Sequence, residues 1–419
     1  MGPTVLFDKS ALQALSMDES VWFDTFFGVN VVPIFYIETL ADLEKELASG
    51  KSAEDLVGML AVKTPSNAFP NVHHRTLLSA ELDGHKVELA GRPVISAGKL
   101  MKTEDGSVGV HIEEFPEQAA LLRWQDHNFL EIERGLAKGW RADLAAHDPE
   151  RLIGMVKNVL PAELKISNLR QLKEFVDRLC ASPDPHILSL ALEFLDLPEA
   201  QRRRGLGRWE QAGKPNFDEF FPYVAHVFKV DLVFYLGIHR GFISGKRSSN
   251  RADMAYLYYL PFGATFTSGD RLHRMTVPLF LRDNQTYLEA RELKSALAEM
   301  DAHYDALPLE IKEMGALAFA SYPPSGMDNA VTRLWDSNMR PGWREVAKTS
   351  EAALGKPQDE RADQKTLDDL KERLSKAEPV SEDPSVRGPD YFVTSRRVRA
   401  KKGKWRMVSQ EVEDADEDG

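Results

Sequence analysis

The sequence predicts an α/β fold in which a parallel sheet is flanked by helices, with a mostly helical inserted subdomain and a disordered C-terminal tail. Strand-like apolar runs alternate with helical patterns on both sides of a long middle segment, and this alternation is typical of parallel sheets. Amphipathic helical patterns dominate the middle segment, and the charged end of the chain has the composition of a disordered segment. The expected division is residues 1–54 and 216–345 for the two parts of the sheet domain, 55–215 for the insertion and 346–419 for the tail.

Composition narrows the class of protein. The 419-residue chain is 43% hydrophobic, as in soluble globular proteins, and its single cysteine, Cys180, excludes an intramolecular disulfide. We find no basic leader followed by an apolar stretch, and no apolar run near the roughly 20 residues of a membrane span. We therefore expect a cytoplasmic protein without a membrane partner. The net charge of −12 argues against a nucleic-acid-binding face over the whole surface, although carboxylates that bind a metal add to the same total.

The first 50 residues have the pattern strand, helix, strand, helix. Residues 4–7 form a short β-rich run that ends at Asp8, and a helix is expected over residues 10–15, with a serine as its cap. Residues 30–36 form a second apolar, β-branched run, whose proline indicates a short or edge strand. Glu38 then begins a helical pattern.

The middle segment, residues 55–215, contains a hairpin pattern and several helical patterns. Residues 87–89 and 108–112 are the candidate hairpin strands, with Asp105-Gly106 between them. The expected helices cover roughly residues 117–137, 149–159, 168–180 and 186–210. One possible role of this insertion is to restrict access to a functional site. The alternative is that it covers the far side of the sheet or joins two copies of the chain in a homo-oligomer, and the sequence pattern fits both roles.

Strand and helix patterns return after the insertion. A long helix is expected over residues 217–236, and Asp253 opens a second helix. Residues 264–268 form a short strand that stops just before Asp270, and residues 277–281 are a candidate final strand. In the tail, only residues 364–376 have a helical pattern.

Four acidic residues occupy related positions in this pattern. Asp8, Glu38 and Asp270 each follow a strand, and Asp253 opens the helix that leads into the third of these strands. Ligands of open parallel sheets bind outside the carboxyl ends of the strands, and helix N-termini there favour negative charge. We therefore expect at least three of these carboxylates at one edge of one sheet.

Three segments resemble the PIN-domain nucleases. Residues 6–12 are similar to the opening strand of that family, and residues 33–40 to its second acidic element. The strongest similarity is the aspartate-headed helix at Asp253, followed by a turn, a strand and Asp270. The resemblance covers roughly residues 3–50 and 217–285, and the order of all four acids is more specific than any one of them.

The resemblance implies an α/β sandwich that cleaves single-stranded or structured nucleic acid with Mg²⁺ or Mn²⁺, RNA being favoured over DNA. Asp8, Asp253 and Asp270 would be the closest metal ligands, and Glu38 would bind the metal directly or through water. Hard divalent cations prefer carboxylate oxygens and can activate the water that attacks a phosphodiester. The size of the insertion and Lys9, which stands where the family usually has a small residue, depart from the pattern.

Other interpretations remain open for each residue. Asp8 can serve as a helix cap, Glu38 and Asp253 can complement a helix dipole, and Asp270 can be a turn residue. The chain would then be a catalytically weak module that binds nucleic acid or protein. A phosphatase on another α/β sheet is a third, weaker alternative, because no second aspartate follows Asp8 two residues later.

One serine and four basic residues near these acids in the sequence are candidate contacts for the substrate. The candidate phosphate contacts are Ser268, Lys246, Arg247, Arg251 and Arg271. Residues 396–406 form a basic run that suits either a flexible phosphate-binding arm or a solubilising tail. The tyrosines at 256, 258 and 259 are better explained by core packing than by base stacking.

Overall fold

The structure, a computed structural model, describes most of the chain. The described residues are 2–44, 52–66, 68–95, 98–103, 106, 108–112, 115–146, 149–157, 165–182, 184–354, 376, 378–379, 391–394 and 398–410. Within these ranges, no helix combines the length and the apolar character that crossing a membrane requires.

Strands and helices alternate through the described residues. The strands are β1 (Thr4–Phe7), β2 (Gly28–Val31), β3 (Ala68–Pro70), β4 (Gly98–Lys102), β5 (Val108–Ile112), β6 (Thr265–Ser268), β7 (Thr286–Glu289), β8 (Glu378–Pro379), β9 (Tyr391–Thr394), β10 (Lys401–Lys402) and β11 (Trp405–Arg406). The helices are α1 (Lys9–Ala14), α2 (Met17–Phe26), α3 (Pro33–Leu40), α4 (Ala53–Lys63), α5 (His74–Asp83), α6 (Pro116–Gln125), α7 (Glu131–Ala146), α8 (Pro149–Val156), α9 (Leu169–Cys180), α10 (Pro185–Phe194), α11 (Glu199–Gln211), α12 (Phe217–Phe220), α13 (Pro222–His239), α14 (Ser249–Tyr256), α15 (Arg271–Thr276), α16 (Ala290–Asp305), α17 (Leu309–Glu313), α18 (Ala316–Phe319), α19 (Ala330–Asn338) and α20 (Trp343–Ala353).

The central sheet has five parallel strands in the order β3-β2-β1-β6-β7. Strands β2 and β3 follow β1 in order on one side of it, and β6 and β7 lie on its other side. The direction of building therefore reverses between β1 and β6. In open α/β sheets such a reversal leaves a crevice at the carboxyl ends of the two strands, where ligands bind.

Burial explains why these short segments become strands. Every residue of β2 and β6 is buried, as are the last three of β1. Parallel strands covered by helices on both faces are mostly apolar or β-branched, as β1 is throughout. The prediction of an α/β fold with a parallel sheet flanked by helices is confirmed.

The predicted boundary between β2 and α3 is wrong. The run over residues 30–36 is not one strand, because β2 ends at Val31 and α3 begins at Pro33. Proline suits the first turn of a helix, where its missing N–H would have no partner. Glu38 consequently lies near the end of α3 and not in its first turn. Asp253 also differs from the prediction, since α14 begins four residues earlier, at Ser249.

Prolines also divide the predicted long helices. The helix expected over residues 217–236 is two, α12 and α13, with Pro222 at the start of the second. The helix expected over residues 186–210 is α10 and α11, separated at Pro198. The N-cap of α9 is Asn168, whose side chain accepts a hydrogen bond from the Gln171 amide.

Two predicted strands lie elsewhere. The hairpin pairs β4 with β5, so residues 108–112 are a strand as expected but residues 87–89 are not. The predicted final strand at 277–281 is instead a 3₁₀ turn over Val277–Leu279, and the sheet ends with β7. β3 lies inside the range expected as an insertion yet joins the central sheet. The domain division itself stays a prediction.

Part of the predicted tail packs against the body of the protein. β10 and β11 form an antiparallel pair, and Trp405 is buried, with its ring centroid 4.8 Å from that of Trp22. The Trp405 indole N–H donates to Asp301 over 2.7 Å. The prediction of a disordered tail over residues 346–419 is therefore wrong for residues 346–353, which belong to α20, and for residues 398–406. The prediction of a flexible arm over residues 396–406 is wrong for the same residues 398–406. The helix predicted at 364–376 lies outside the described residues, apart from residue 376.

Candidate active site at the carboxyl edge of the sheet

Asp8 lies at the reversal point of the sheet, directly after β1. It is the N-cap of α1, and one carboxylate oxygen accepts the Ala11 amide over 2.9 Å. The hydroxyls of Ser10 and Ser268 each donate to its Oδ2 over 2.8 Å. Because Ser268 ends β6, this contact joins the carboxyl ends of the two neighbouring strands. The carboxylate is 3% exposed at the residue level and has a full set of donors.

A buried histidine completes the surroundings of Asp8. His273, on α15, places Nδ1 3.1 Å from Asp8 Oδ2 and Nε2 2.7 Å from the main-chain oxygen of Asp253. A carbonyl oxygen only accepts, so Nε2 carries a proton, and Nδ1 faces a carboxylate. Burial opposes a charge on the ring, but the hydrogen bond and charge of Asp8 prevail and raise the pKa of His273 to about 9. Burial likewise opposes ionisation of Asp8, yet His273 lowers the Asp8 pKa.

Asp270 lies two residues beyond the end of β6 and caps α15 through the Leu272 amide. Its own amide donates to the Ser268 hydroxyl over 2.9 Å, and the Gly269 amide donates to Ser10 over the same distance. Asp8 and Asp270 therefore share a network of serine hydroxyls. The two acids lie at the same edge of the sheet, as the sequence predicts.

Glu38 is held by a lysine and a tyrosine. Lys9 Nζ lies 3.0 Å from Glu38 Oε1 and 3.2 Å from Asp42 Oδ2. The Tyr256 hydroxyl, from α14, donates to Glu38 Oε2 over 2.7 Å. Burial of the Lys9 ammonium opposes its charge, but the carboxylates of Glu38 and Asp42 outweigh this effect and raise the Lys9 pKa. The lysine that departs from the family pattern thus neutralises part of the site.

Asp253 differs from the other three acids, because no described residue donates a hydrogen bond to its carboxylate. Burial raises its pKa to about 7, opposed by the nearby His273. The charges of Glu38, Asp270 and Asp8 raise the same pKa further. The other three predicted site residues are therefore close enough to Asp253 to act on its charge, although the four come from two distant parts of the sequence.

The donor set fits a divalent cation in kind but not in its present spacing. Carboxylate oxygens are the ligands that Mg²⁺ and Mn²⁺ prefer, and a cation relieves repulsion among clustered carboxylates. Among the described residues, however, no three histidine, cysteine, aspartate or glutamate side chains are arranged to hold one ion. Binding a metal here would require side-chain rotations of the acidic residues.

The predicted phosphate contacts lie in different surroundings. Ser268 is fully buried and bound to Asp8, so it positions the carboxylate and offers no free surface. Lys246, Arg247 and Arg271 are exposed. Arg251 is partly buried, 3.3 Å from Asp231 Oδ1, and its guanidinium donates to the Tyr258 hydroxyl.

Sequence reasoning missed some residues of this site and interpreted others correctly. The three tyrosines at 256, 258 and 259 are at most 1% exposed, which confirms core packing. Tyr256 nevertheless also binds Glu38. His273 and Asp42 were missed, because single acidic or histidine residues on a helix carry no sequence signal for a distant partner.

Comparisons with known proteins add no relative: no family model, no curated protein and no solved structure matches this chain. The cytoplasmic location and the homo-oligomer stay predictions, as does the identity of any metal.

Proposed function

We propose that the protein is a PIN-like, metal-dependent endonuclease that hydrolyses phosphodiester bonds, with RNA favoured over DNA as its substrate. One observation carries this proposal: acids from two distant segments meet at the carboxyl edge of a parallel sheet, at the reversal between β1 and β6. A crevice of this kind is the usual ligand site of such sheets.

Asp8, Glu38, Asp253 and Asp270 would hold Mg²⁺ or Mn²⁺ between them. Such an ion, when bound, activates a water nucleophile and stabilises the developing charge on the leaving oxygen. The serines at 10 and 268 fix the orientation of the Asp8 carboxylate, since both donate to it. The exposed side chains of Lys246, Arg247 and Arg271 supply positive charge that can attract a phosphate backbone.

The test is cleavage of end-labelled single-stranded RNA and DNA, with and without Mn²⁺, by the full chain and by Asp270→Asn. The substitution keeps the shape of the side chain but removes an anionic ligand, so we expect metal-dependent cleavage to fall by at least a hundredfold while the protein remains folded. The exposed loop residue Asp283 provides the matched control, and Asp283→Asn should cleave at the wild-type rate. Full Mn²⁺-dependent turnover by Asp270→Asn would exclude that residue as a ligand.

A second function is supported by the partners of the carboxylates. Lys9 binds Glu38 and His273 binds Asp8, so protein cations already neutralise half of the acidic set. A site stabilised in this way could persist without metal, in a catalytically weak module that binds nucleic acid or protein. Absence of cleavage with Mn²⁺ and in a parallel assay with Mg²⁺, together with retained binding of RNA, would favour this function.

A further inference from the structure

A cavity of about 310 Å³ is lined in part by α3 and α14, the helices that carry Glu38 and Asp253, and none of the four acids is among its lining residues. Its walls come from α3, α7, α14 and the start of α5. Two of its lining residues, Ile37 and Ala252, directly precede Glu38 and Asp253 in the chain. The volume lies near the lower end of the roughly 300–1,000 Å³ of pockets that hold small organic ligands.

The cavity brings together basic groups and aromatic rings. Arg75, which is exposed, and Arg251, which is partly buried, provide two guanidinium groups. The rings of His73 and His74 lie 4.4 Å apart, and the His74 ring lies 4.9 Å from that of Tyr258. Guanidinium groups recognise phosphate oxygens, and successive aromatic rings offer faces on which a base can stack.

Trp140, on α7, supplies an independent observation. Its partly buried indole lines the cavity, and its Nε1 is buried with no hydrogen-bond partner among the described residues. A buried N–H without an acceptor is unfavourable, because the group has lost its water and gained nothing in return. The part of the indole ring that lines the cavity offers a face on which a base can stack.

We propose that this cavity binds one nucleotide of a single-stranded nucleic acid, next to the phosphodiester that lies at the carboxylates. Trp140 and the histidine pair hold the base, and Arg75 and Arg251 hold its phosphate. The inference rests on the proposed nuclease function only for the position of the nucleotide relative to the cleaved phosphodiester, because binding in the cavity requires no metal. Among the described residues that line the cavity, Asp143 is the one with a carboxylate, and Asp231 is already paired with Arg251.

The test measures the fluorescence anisotropy of a 5′-fluorescein-labelled single-stranded 12-mer RNA, bound by the full chain in EDTA. We expect Trp140→Leu and Arg75→Gln each to weaken binding roughly tenfold, since both stacking and phosphate contacts have effects of this order. Trp140→Phe keeps an aromatic face and should stay within about threefold of wild type. Arg203→Gln, an exposed arginine on α11 outside the cavity, is the matched control for Arg75 and should leave binding unchanged.

The outcomes separate this inference from the nuclease proposal. RNA binding in EDTA that is weakened by the cavity substitutions, without any metal-dependent cleavage, would support the nucleotide site and overturn the nuclease proposal. Metal-dependent cleavage with wild-type binding by both Trp140→Leu and Arg75→Gln would retain the nuclease and overturn the nucleotide site. No measurable binding in EDTA would also overturn the nucleotide site. Circular dichroism of Trp140→Leu identifies misfolding, and in that case Arg75→Gln, an exposed position, decides alone.

Discussion

Asp8 and Asp253 lie at the same edge of the sheet, but their surroundings favour opposite states of the same side chain. Asp8 accepts hydrogen bonds from an amide, two hydroxyls and His273, and its pKa is lowered although it is buried. Asp253 has no donor among the described residues, and burial raises its pKa to about 7. Burial alone therefore does not set the charge of a carboxylate. The hydrogen-bond donors around it determine whether its pKa is lowered or raised.

The difference also separates structural from functional roles. Asp8 ties β1 to β6 and α1, so the fold depends on it whether or not it binds a metal. Asp253 contributes its main-chain oxygen to His273, but no described residue donates a hydrogen bond to its carboxylate. A partly buried carboxylate that lies near three others and has a raised pKa is the pattern expected of a functional group.

Asp8→Asn should give the largest effect on stability. The amide cannot accept as many hydrogen bonds, and the buried His273 ring loses its counter-charge, so the free energy of unfolding should fall by about 3 kcal/mol. Urea denaturation at neutral pH measures it. A loss smaller than about 1 kcal/mol would show that the hydrogen-bond network around Asp8 does not stabilise the fold.

A double-mutant cycle should then distinguish the two aspartates. For Asp8→Asn with His273→Gln we expect a coupling energy of about 2 kcal/mol, because each residue satisfies the other. For Asp253→Asn with His273→Gln the coupling should stay below about 1 kcal/mol, since the contact of His273 is with the Asp253 main chain. Equal coupling in the two cycles would contradict the comparison.

Glu81 extends the comparison to a buried carboxylate that is not one of the four acids of the site. It accepts the amides of Tyr223 and Val224 at the start of α13, yet burial outweighs them and raises its pKa to about 7, from 4.5. Protonated Glu81 is therefore favoured in the folded state. Its contribution to the stability of the fold is complete below about pH 4.5 and is lost as the pH rises through 7.

The corresponding variant is Glu81→Gln, which cannot ionise. Between about pH 5 and pH 8 its free energy of unfolding should rise relative to that of wild type, by on the order of 1–2 kcal/mol. Urea denaturation at several pH values gives this difference directly. A difference that does not change with pH would mean that the two amides already hold Glu81 ionised, as His273 holds Asp8.

Asp253→Asn should give the smallest effect, and one of opposite sign. The amide removes a buried charge that three neighbouring carboxylates oppose, so in EDTA the protein should gain up to about 1 kcal/mol. Thermal unfolding of wild type and variant in the same buffer measures the gain. A clear loss of stability would show that the carboxylate has a structural partner after all.

The sequence predicted the features that depend on neighbouring residues. The run from Thr4 to Phe7 followed by Asp8, and the run ending at Ser268 before Asp270, are local patterns that each contain a strand and its acid. Their placement at one edge follows from parallel pairing, and the structure has it. The order of the strands and acids along the chain could therefore be predicted from the sequence alone.

Features that depend on distant packing were not accessible. β3 is only three residues long and ends in Pro70, so it has no periodicity to detect and is tolerated as an edge strand. His273 faces Asp8 only because α15 packs against the end of β1. Trp405 lies in a basic, charged segment, and its burial against Trp22 depends on a contact across nearly the whole chain.

The most direct test of the central claim, that these acids form a divalent-metal site, is isothermal titration of Mn²⁺ into the purified full chain. We expect one saturable binding event for wild type, at least tenfold weaker binding for Asp253→Asn, and wild-type binding for Asp283→Asn. The stability gain expected for Asp253→Asn in EDTA would show that its weaker binding does not come from misfolding. Equal Mn²⁺ affinity of wild type and Asp253→Asn, or no saturable binding by wild type, would contradict the metal site.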